Sequence, residues 1–142
     1  MKNYFVVRVM ISLALISLFA CTEKIEGDIT LGTSFELNFN KSKKTTAGDI
    51  VVNFTEVIDD SRCPHDVECL WEGQAKVKLE VTLNGTDDEV VFIKRAGPFY
   101  ENIAKDTVGG YVFTLEEVLP YPTGTNSIPQ NDYLIKMKIE DL

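Results

Sequence analysis

The chain has 142 residues, 44% of them apolar and 25% charged, which fits one globular domain and leaves little room for a second. Twenty-two acidic residues against fourteen basic ones give a net charge of −8. A protein that holds nucleic-acid phosphates needs clustered Lys and Arg, so no nucleic-acid partner is predicted. The content of Pro, Gly and aromatic residues is that of a packed domain and excludes a disordered or collagen-like chain.

The first segment, residues 1–20, has the form of an export signal. Lys2 and Arg8 lie before or at the start of an apolar run over 9–20, which has the length of a signal-peptide core and is shorter than the ~20 residues that span a bilayer. The run ends in Leu-Phe-Ala before Cys21 and resembles the lipobox of bacterial lipoproteins. This resemblance implies cleavage before the Cys, its acylation with chains such as palmitate, and a membrane anchor.

The predicted cleavage makes the mature chain still more acidic, because it removes two basic residues and no acidic one. Anionic lipids would repel such a domain, so attachment must come from the acyl chains on Cys21. We expect the protein in the cell envelope, either on the outer membrane, facing the periplasm or the surface, or on the outer face of the cytoplasmic membrane. Residues 21–33 are predicted to form a flexible tether and 34–142 a single β-domain.

Alternation with period two dominates the chain after the tether. Phe35, Leu37 and Phe39 alternate with polar residues, as expected for a strand with one buried face. A further short strand is predicted near 43–46, and one or two helical turns near 100–105. The pattern predicts an all-β domain, an antiparallel β-sandwich or small β-barrel of six to seven strands. Five further segments are predicted as strands: 49–58, 75–83, 88–95, 111–115 and 133–140.

A β-hairpin is the firmest local prediction. Asn84-Gly85 supplies the two positive-φ residues that a type I′ turn requires. We therefore expect 75–83 to pair with 88–95, with a loop that extends through Asp87 and Asp88.

The segment 59–73 interrupts the alternation and contains Cys63, Cys69 and the only His and Trp of the chain, His65 and Trp71. Outside the cytoplasm two such cysteines oxidise, and closing this short ring stabilises the fold by about 2–2.5 kcal/mol in the loop-closure model. A Cys63–Cys69 disulfide is the favoured interpretation. Trp71 is then expected to pack over the bridge and cover one end of the core.

Two other interpretations of this segment use free sulfur. Cys63, His65 and Cys69 have ligand types that suit Zn or Cu, or Cys63 is a thiol activated by His65. A structural metal site normally draws two spaced pairs of ligands, and a nucleophile needs an oriented base, so neither constellation is complete. In the metal interpretation, the further ligands would be carboxylates of the same loop: Asp66, Glu68 and Glu72. Because the disulfide is favoured, no metal ligand and no cofactor is predicted.

Two strings of residues resemble a group of small bacterial lipoproteins of uncharacterised function. One is S-R-C-P-x-x-V-x-C-x-W-x-G-x-A-x-V over 61–77, and the other is Y-x-F-x-L-x-x-V-x-P-Y-P over 111–122. The resemblance covers most of the mature domain. It implies an exported β-rich domain with a bridged Cys63–Cys69 loop, and it implies no chemistry.

Neither a catalytic motif nor a second His accompanies His65, so general acid–base and triad catalysis lack the residues they need. Arg62 is interpreted as paired with the neighbouring carboxylates Asp60 and Asp66, or alternatively as an anion contact. No catalytic residue is predicted, and the function expected is a non-enzymatic binding or accessory module with a protein or glycan partner. The alternative is a metal-dependent or acid-catalysed hydrolase that uses the loop 59–72. The predicted binding surface comprises Arg62, His65, Trp71 and Tyr121.

Overall fold

A computed structural model describes residues 25–96, 104–124 and 126–142. The predicted signal, residues 1–20, and the predicted lipidation site Cys21 lie outside these described residues. Within them the chain forms nine strands and one short 3-10 turn, Gln130–Asp132. The strands are β1 Ile25–Ile29, β2 Phe35–Asn38, β3 Ser42–Thr45, β4 Ile50–Asp60, β5 Gln74–Leu83, β6 Thr86–Arg95, β7 Ala104–Val108, β8 Tyr111–Leu119 and β9 Leu134–Asp141.

The strands form two sheets, one of five strands in the order β1-β3-β4-β5-β6 and one of four in the order β2-β9-β8-β7. All neighbouring strands are antiparallel except β1 and β3, which are parallel. One apolar core contains buried residues of both sheets. This arrangement confirms the all-β prediction and is a small β-sandwich. The largest fully buried side chains include Phe54, Leu79, Phe113, Leu115, Ile135, Met137 and Ile139.

Alternation in the sequence is reproduced as alternation in burial. In β5 every second residue, beginning with Ala75, is buried, and the intervening Lys76, Lys78 and Glu80 lie toward solvent. Because successive side chains of a strand lie on opposite faces, the apolar set of β5 lies on the core side. The same holds for β9, where Ile135 is the first of three fully buried residues.

The predicted hairpin joins β5 to β6. Asn84 and Gly85 have φ values of 49° and 82°, as a type I′ turn requires. The expected longer loop through Asp87 and Asp88 is wrong, because both residues already pair with β5 and the loop has only two residues. A two-residue turn of this type follows the natural twist of the strands, so pairing starts immediately after it.

The structure corrects the N-terminal boundary and adds two strands that the sequence did not predict, β1 and β7. Residues Ile25–Ile29, placed in the tether 21–33, pair with β3, and Ile29 is buried in the core. Gly27 interrupts the alternation in this short strand, which hides the pattern. Ala104 and Lys105, expected in a helical turn, belong to β7; the rest of that turn lies outside the described residues.

The two ends of the sandwich differ in their connections. One end carries loops 61–73 and 120–124. Loop 61–73 follows the last pair of β4 and β5, Asp60 with Ala75, and loop 120–124 follows the last pair of β8 and β9, Leu119 with Leu134. We call it the bridged end. The opposite end, here called the turn end, carries the two-residue turns Asn84-Gly85 and Gly109-Gly110. The residues predicted to form a binding surface lie at the bridged end.

Candidate functional site at the bridged end of the sandwich

Cys63 and Cys69 form a disulfide with an S–S distance of 2.12 Å, which confirms the favoured interpretation of the loop. The amide of Cys63 donates to the carbonyl of Glu72 at 2.9 Å, and that of Val67 donates to the carbonyl of Pro64 at 3.2 Å. The loop is thus closed covalently and by its own backbone. Because the sulfurs bind each other, neither is a thiolate ligand or nucleophile, and the two interpretations that need free sulfur are wrong.

Arg62 is the buried polar centre of this end, with only 6% of its surface exposed. Its Nε and Nη2 donate to the two carboxylate oxygens of Asp60 at 2.8 and 2.6 Å, the fork geometry of a bidentate pair. Its Nη1 donates to the carbonyl of Val118 at 2.5 Å, and Nη2 also donates to that of Pro120 at 3.0 Å. Arg62 therefore links the end of β4 to the end of β8, across the two sheets.

The pairing predicted for Arg62 is thus confirmed for Asp60 but wrong for Asp66. The carboxylate of Asp66 instead accepts a hydrogen bond from the amide of Gly124 at 2.6 Å, which ties the bridged loop to loop 120–124. Four of the five guanidinium N–H donors of Arg62 already have protein acceptors, and the side chain is buried. The alternative role of Arg62 as an anion contact stays a prediction.

Burial and pairing act in opposite directions on the carboxyl of Asp60. Burial disfavours the ionised form of this carboxyl and raises its pKa. The hydrogen bonds and charge of Arg62, with a further hydrogen bond from the Tyr133 hydroxyl at 3.0 Å, outweigh burial, so the pKa of Asp60 is lowered. The pKa of Tyr133 is raised well above its ordinary value, first because its phenol is buried and then because it donates to Asp60. Asp60, Arg62 and Tyr133 therefore form one ionised and hydrogen-bonded network.

Tyr121 lies beside this network, and its ring contacts both Arg62 and His65. The Cζ of Arg62 is 4.9 Å from the centroid of the Tyr121 ring, and the ring of His65 stacks on it at 4.1 Å between centroids with 26° between planes. The amide of His65 also donates to the carbonyl of Pro122 at 3.3 Å. His65 is exposed and Tyr121 half-buried, so the stack presents an aromatic surface with a polar edge to solvent.

Trp71 does not cover the core, contrary to expectation, and 63% of its surface is exposed. Gly73 is buried against the backbone of Ser61 so tightly that a Cβ at Gly73 would overlap the Ser61 carbonyl. Trp71 follows the fully exposed Leu70, and both line a groove of about 580 Å³. Its other lining residues are Glu72, Gly73, Gln74, Arg95 and Ala96.

A second groove of about 330 Å³ lies between β6 and β8, lined by Arg62, Tyr121 and the end of β8. The two grooves share the lining residues Arg95 and Ala96. The structure thus brings Arg62, His65 and Tyr121 into direct contact and places Trp71 in the neighbouring groove.

Sequence reasoning missed the roles of Leu70 and Tyr133. An apolar residue among the polar residues of a bridged loop is a signal for Leu70. Alternation marks Tyr133 only as the first residue of a strand, and no sequence signal predicts that its hydroxyl meets Asp60, which lies 73 residues away.

No model of a protein family, no curated protein and no solved structure matches this chain. Among the described residues, no group of three or more His, Cys, Asp or Glu side chains is placed to hold a metal ion. The same part of the chain contains no helix of the length and apolarity that crossing a membrane requires.

Proposed function

We propose that this protein is an exported lipoprotein, anchored through acyl chains on Cys21, and acts as a non-enzymatic binding or accessory module of the bacterial envelope. The apolar run over 9–20 and the Leu-Phe-Ala-Cys string support export and acylation. The Cys63–Cys69 disulfide supports a compartment outside the cytoplasm, where such bonds persist. The anchor would hold the domain on the outer membrane or on the outer face of the cytoplasmic membrane.

The observation that supports the binding function is the stacked aromatic surface at the bridged end. Arg62 is held by hydrogen bonds to Asp60 and Val118 and lies over the ring of Tyr121, on which His65 stacks. Side chains that are ordered before binding lose little conformational entropy when a partner arrives. Aromatic residues are enriched at the energetic centres of protein interfaces. The site is therefore suited to holding a partner, a protein or glycan of the envelope.

The hydrolase alternative needs free carboxylates in the loop 59–72. The carboxylate of Asp60 is committed to Arg62 and Tyr133, and that of Asp66 accepts from the amide of Gly124. Turnover of an ester, peptide or glycoside by the purified protein, abolished in His65→Ala, would favour a hydrolase over a binding module. Asp60→Ala is unsuitable for this assay because it removes the counter-charge of a buried Arg and threatens the fold.

Crosslinking in intact cells that produce the acylated full chain tests the binding function. We expect a discrete crosslinked partner with the wild type and its loss in Tyr121→Ala and in His65→Ala, since both remove the stacked rings. Glu36→Ala is the matched control, because Glu36 is an exposed residue of β2 and contributes no side chain to the aromatic stack. Thermal unfolding of each variant establishes that it is folded. The binding proposal fails if the folded Tyr121 variant retains every partner of the wild type.

A further inference from the structure

Strand β6 is the longest of the described strands that lie at an edge of either sheet. It has ten residues, whereas the other edge strands, β1, β2 and β7, have five, four and five. Its pairing with β5 is regular over the whole length, and within the described residues no strand pairs with its other side. Natural proteins keep edges short or interrupted, because a long edge offers unpaired backbone groups to another chain. β6 is therefore the edge best suited to accept a further strand.

The direction of the backbone groups of β6 follows from its pairing with β5. The amide of Ala96 donates to the carbonyl of Gly73, directly before β5, at 3.0 Å. The residues that flank the two central residues of a β-turn bond to each other, which places the backbone groups of Thr86 on the same side. Successive residues of an antiparallel strand direct their N–H and C=O groups to opposite sides. The even-numbered residues therefore face β5, and the odd-numbered ones, with Val91 near the middle, face the edge.

The solvent-facing side of this edge strand is apolar at its centre. Val91 and Ile93 are each 45% exposed, whereas their neighbours Val90 and Phe92 are buried in the core. Exposed apolar side chains on a long edge strand mark a site where another strand can pair. A strand added beside β6 would remove part of both exposed side chains from water.

The charges of β6 indicate which strand this is. Near its start β6 has Asp87-Asp88-Glu89, and it ends with Lys94-Arg95, with four apolar residues between. If a second copy of β6 runs antiparallel to the first, with a two-fold axis at Val91, position 88 of one copy is opposite position 94 of the other. The acidic end of each copy then lies beside the basic end of its partner. In the two nearest registers that keep the same face outward, Asp88 is opposite an apolar residue instead.

We propose that two copies of this chain pair through β6, antiparallel and in the register centred on Val91, so that their five-stranded sheets become one continuous sheet. Opposite charges directly across two strands stabilise the pairing, and like charges destabilise it. A two-fold interface makes the contact of Asp88 with Lys94 twice. The bridged ends of the two copies, with their His65 and Tyr121 stacks, lie at opposite ends of the joined sheet. This inference does not depend on the proposed anchor or on the proposed binding partner.

Disulfide trapping across the two-fold axis tests this pairing. Directly opposite residues of a hydrogen-bonded antiparallel pair have Cα atoms about 5.5 Å apart, a distance that a disulfide bridges. We expect brief oxidation of the purified full chain with copper phenanthroline to convert most of the Val91→Cys variant into a dimer on a non-reducing gel. Ile58→Cys is the matched control, because Ile58 is 47% exposed but lies on β4, an inner strand of the same sheet, and it should stay monomeric. No dimer from Val91→Cys, or equal amounts from the two variants, would overturn the proposal.

Exchange of charges in the Val91→Cys background tests the register. Asp88→Lys and Lys94→Asp each oppose like charges at two symmetric places, so each should raise the chain concentration needed for half-maximal trapping about tenfold. An equal mixture of the two variants restores both contacts between opposite charges and should be trapped nearly as well as Val91→Cys alone. Asp88 is exposed and Lys94 half-buried, so both variants should fold, which thermal unfolding checks. A mixture trapped no better than either variant by itself would overturn the register and the proposal with it.

Crosslinking in intact cells distinguishes a second copy of the chain from another protein. A species of twice the mass of the full chain, trapped through Val91→Cys, supports self-pairing. A disulfide from position 91 to a different protein, without such a species, would overturn self-pairing and assign the edge of β6 to that protein.

Discussion

The two ends of this sandwich are held by different kinds of interaction. At the turn end, Asn84-Gly85 and Gly109-Gly110 connect strands that are neighbours both in the chain and in the sheet. At the bridged end, contacts between distant parts of the chain dominate, such as Arg62 to Val118. The side chain of Gln130 likewise exchanges two hydrogen bonds with the backbone of Val57. Local turn preference suffices where only a reversal is needed, whereas an ordered surface requires long-range polar contacts.

The Arg62→Met variant should show the largest effect. It leaves the carboxylate of Asp60 buried without its counter-charge and two carbonyls without a donor, which costs about 3–5 kcal/mol of unfolding free energy. Urea denaturation measures the loss. In the control Lys78→Met, the lost ion pairs with Glu56 and Glu89 lie at the surface, so the cost should be much smaller than that of Arg62→Met. Similar midpoints for the two variants would show that the Arg62 pair contributes no more than a surface pair.

Substituting two glycines at positive φ, Gly85 and Gly73, distinguishes the cost of backbone strain from the cost of a steric overlap. A Cβ at Gly85 would lie in open space, so Gly85→Ala should cost only the strain of the left-handed region, about 1–2 kcal/mol. Gly73→Ala adds an overlap with the Ser61 carbonyl, and we expect a loss of about 3 kcal/mol or more. Thermal unfolding compares the two variants. If Gly73→Ala proves no worse than Gly85→Ala, the close packing of Gly73 on Ser61 is incorrect.

Removing the disulfide in Cys63→Ser/Cys69→Ser should cost about 2–2.5 kcal/mol, because a ring this short restrains the unfolded chain only moderately. Differential scanning calorimetry under oxidising conditions measures the fall in Tm relative to the wild type. The turn end has no such restraint within the described residues, so its amide exchange should change less than that of the bridged end. Two alkylatable thiols in non-reduced wild-type protein would contradict the bridge.

The smallest effects concern pH and the Asp60–Tyr133 pair. Because the folded state lowers the pKa of Asp60, its stabilising contribution is complete above pH ~4 and is lost as pH falls through the lowered pKa. Because folding raises the pKa of Tyr133, its contribution is present below pH ~10 and declines as pH rises further. Tyr133→Phe should cost about 1 kcal/mol at neutral pH and flatten the alkaline decline. An unchanged alkaline profile in Tyr133→Phe would show that other groups cause it.

Much of the fold could be predicted because strand formation and hairpin turns depend on neighbouring residues. Alternating apolar residues in β5 and β9 predicted which faces are buried, and Asn84-Gly85 predicted a chain reversal. The start of strand pairing was predicted too late, because Asp87 and Asp88 were placed in the loop. Short strands escaped prediction: β1 has Gly27 at its centre, and its place depends on backbone pairing with β3 together with the burial of Ile29.

The amino-acid sequence was enough to predict that the domain is all-β, that Cys63 and Cys69 lie close enough in the chain to form a bridge, and that Arg62 has carboxylates near it in the chain. The exposure of Trp71, the close packing of Gly73 on Ser61 and the hydrogen bond from Tyr133 to Asp60 became visible only in the folded chain. The difference lies in the separation of the interacting residues along the chain. Turns, alternation and a short disulfide ring follow from residues a few positions apart, whereas burial and polar pairing at the bridged end depend on segments that meet only after the two sheets have packed.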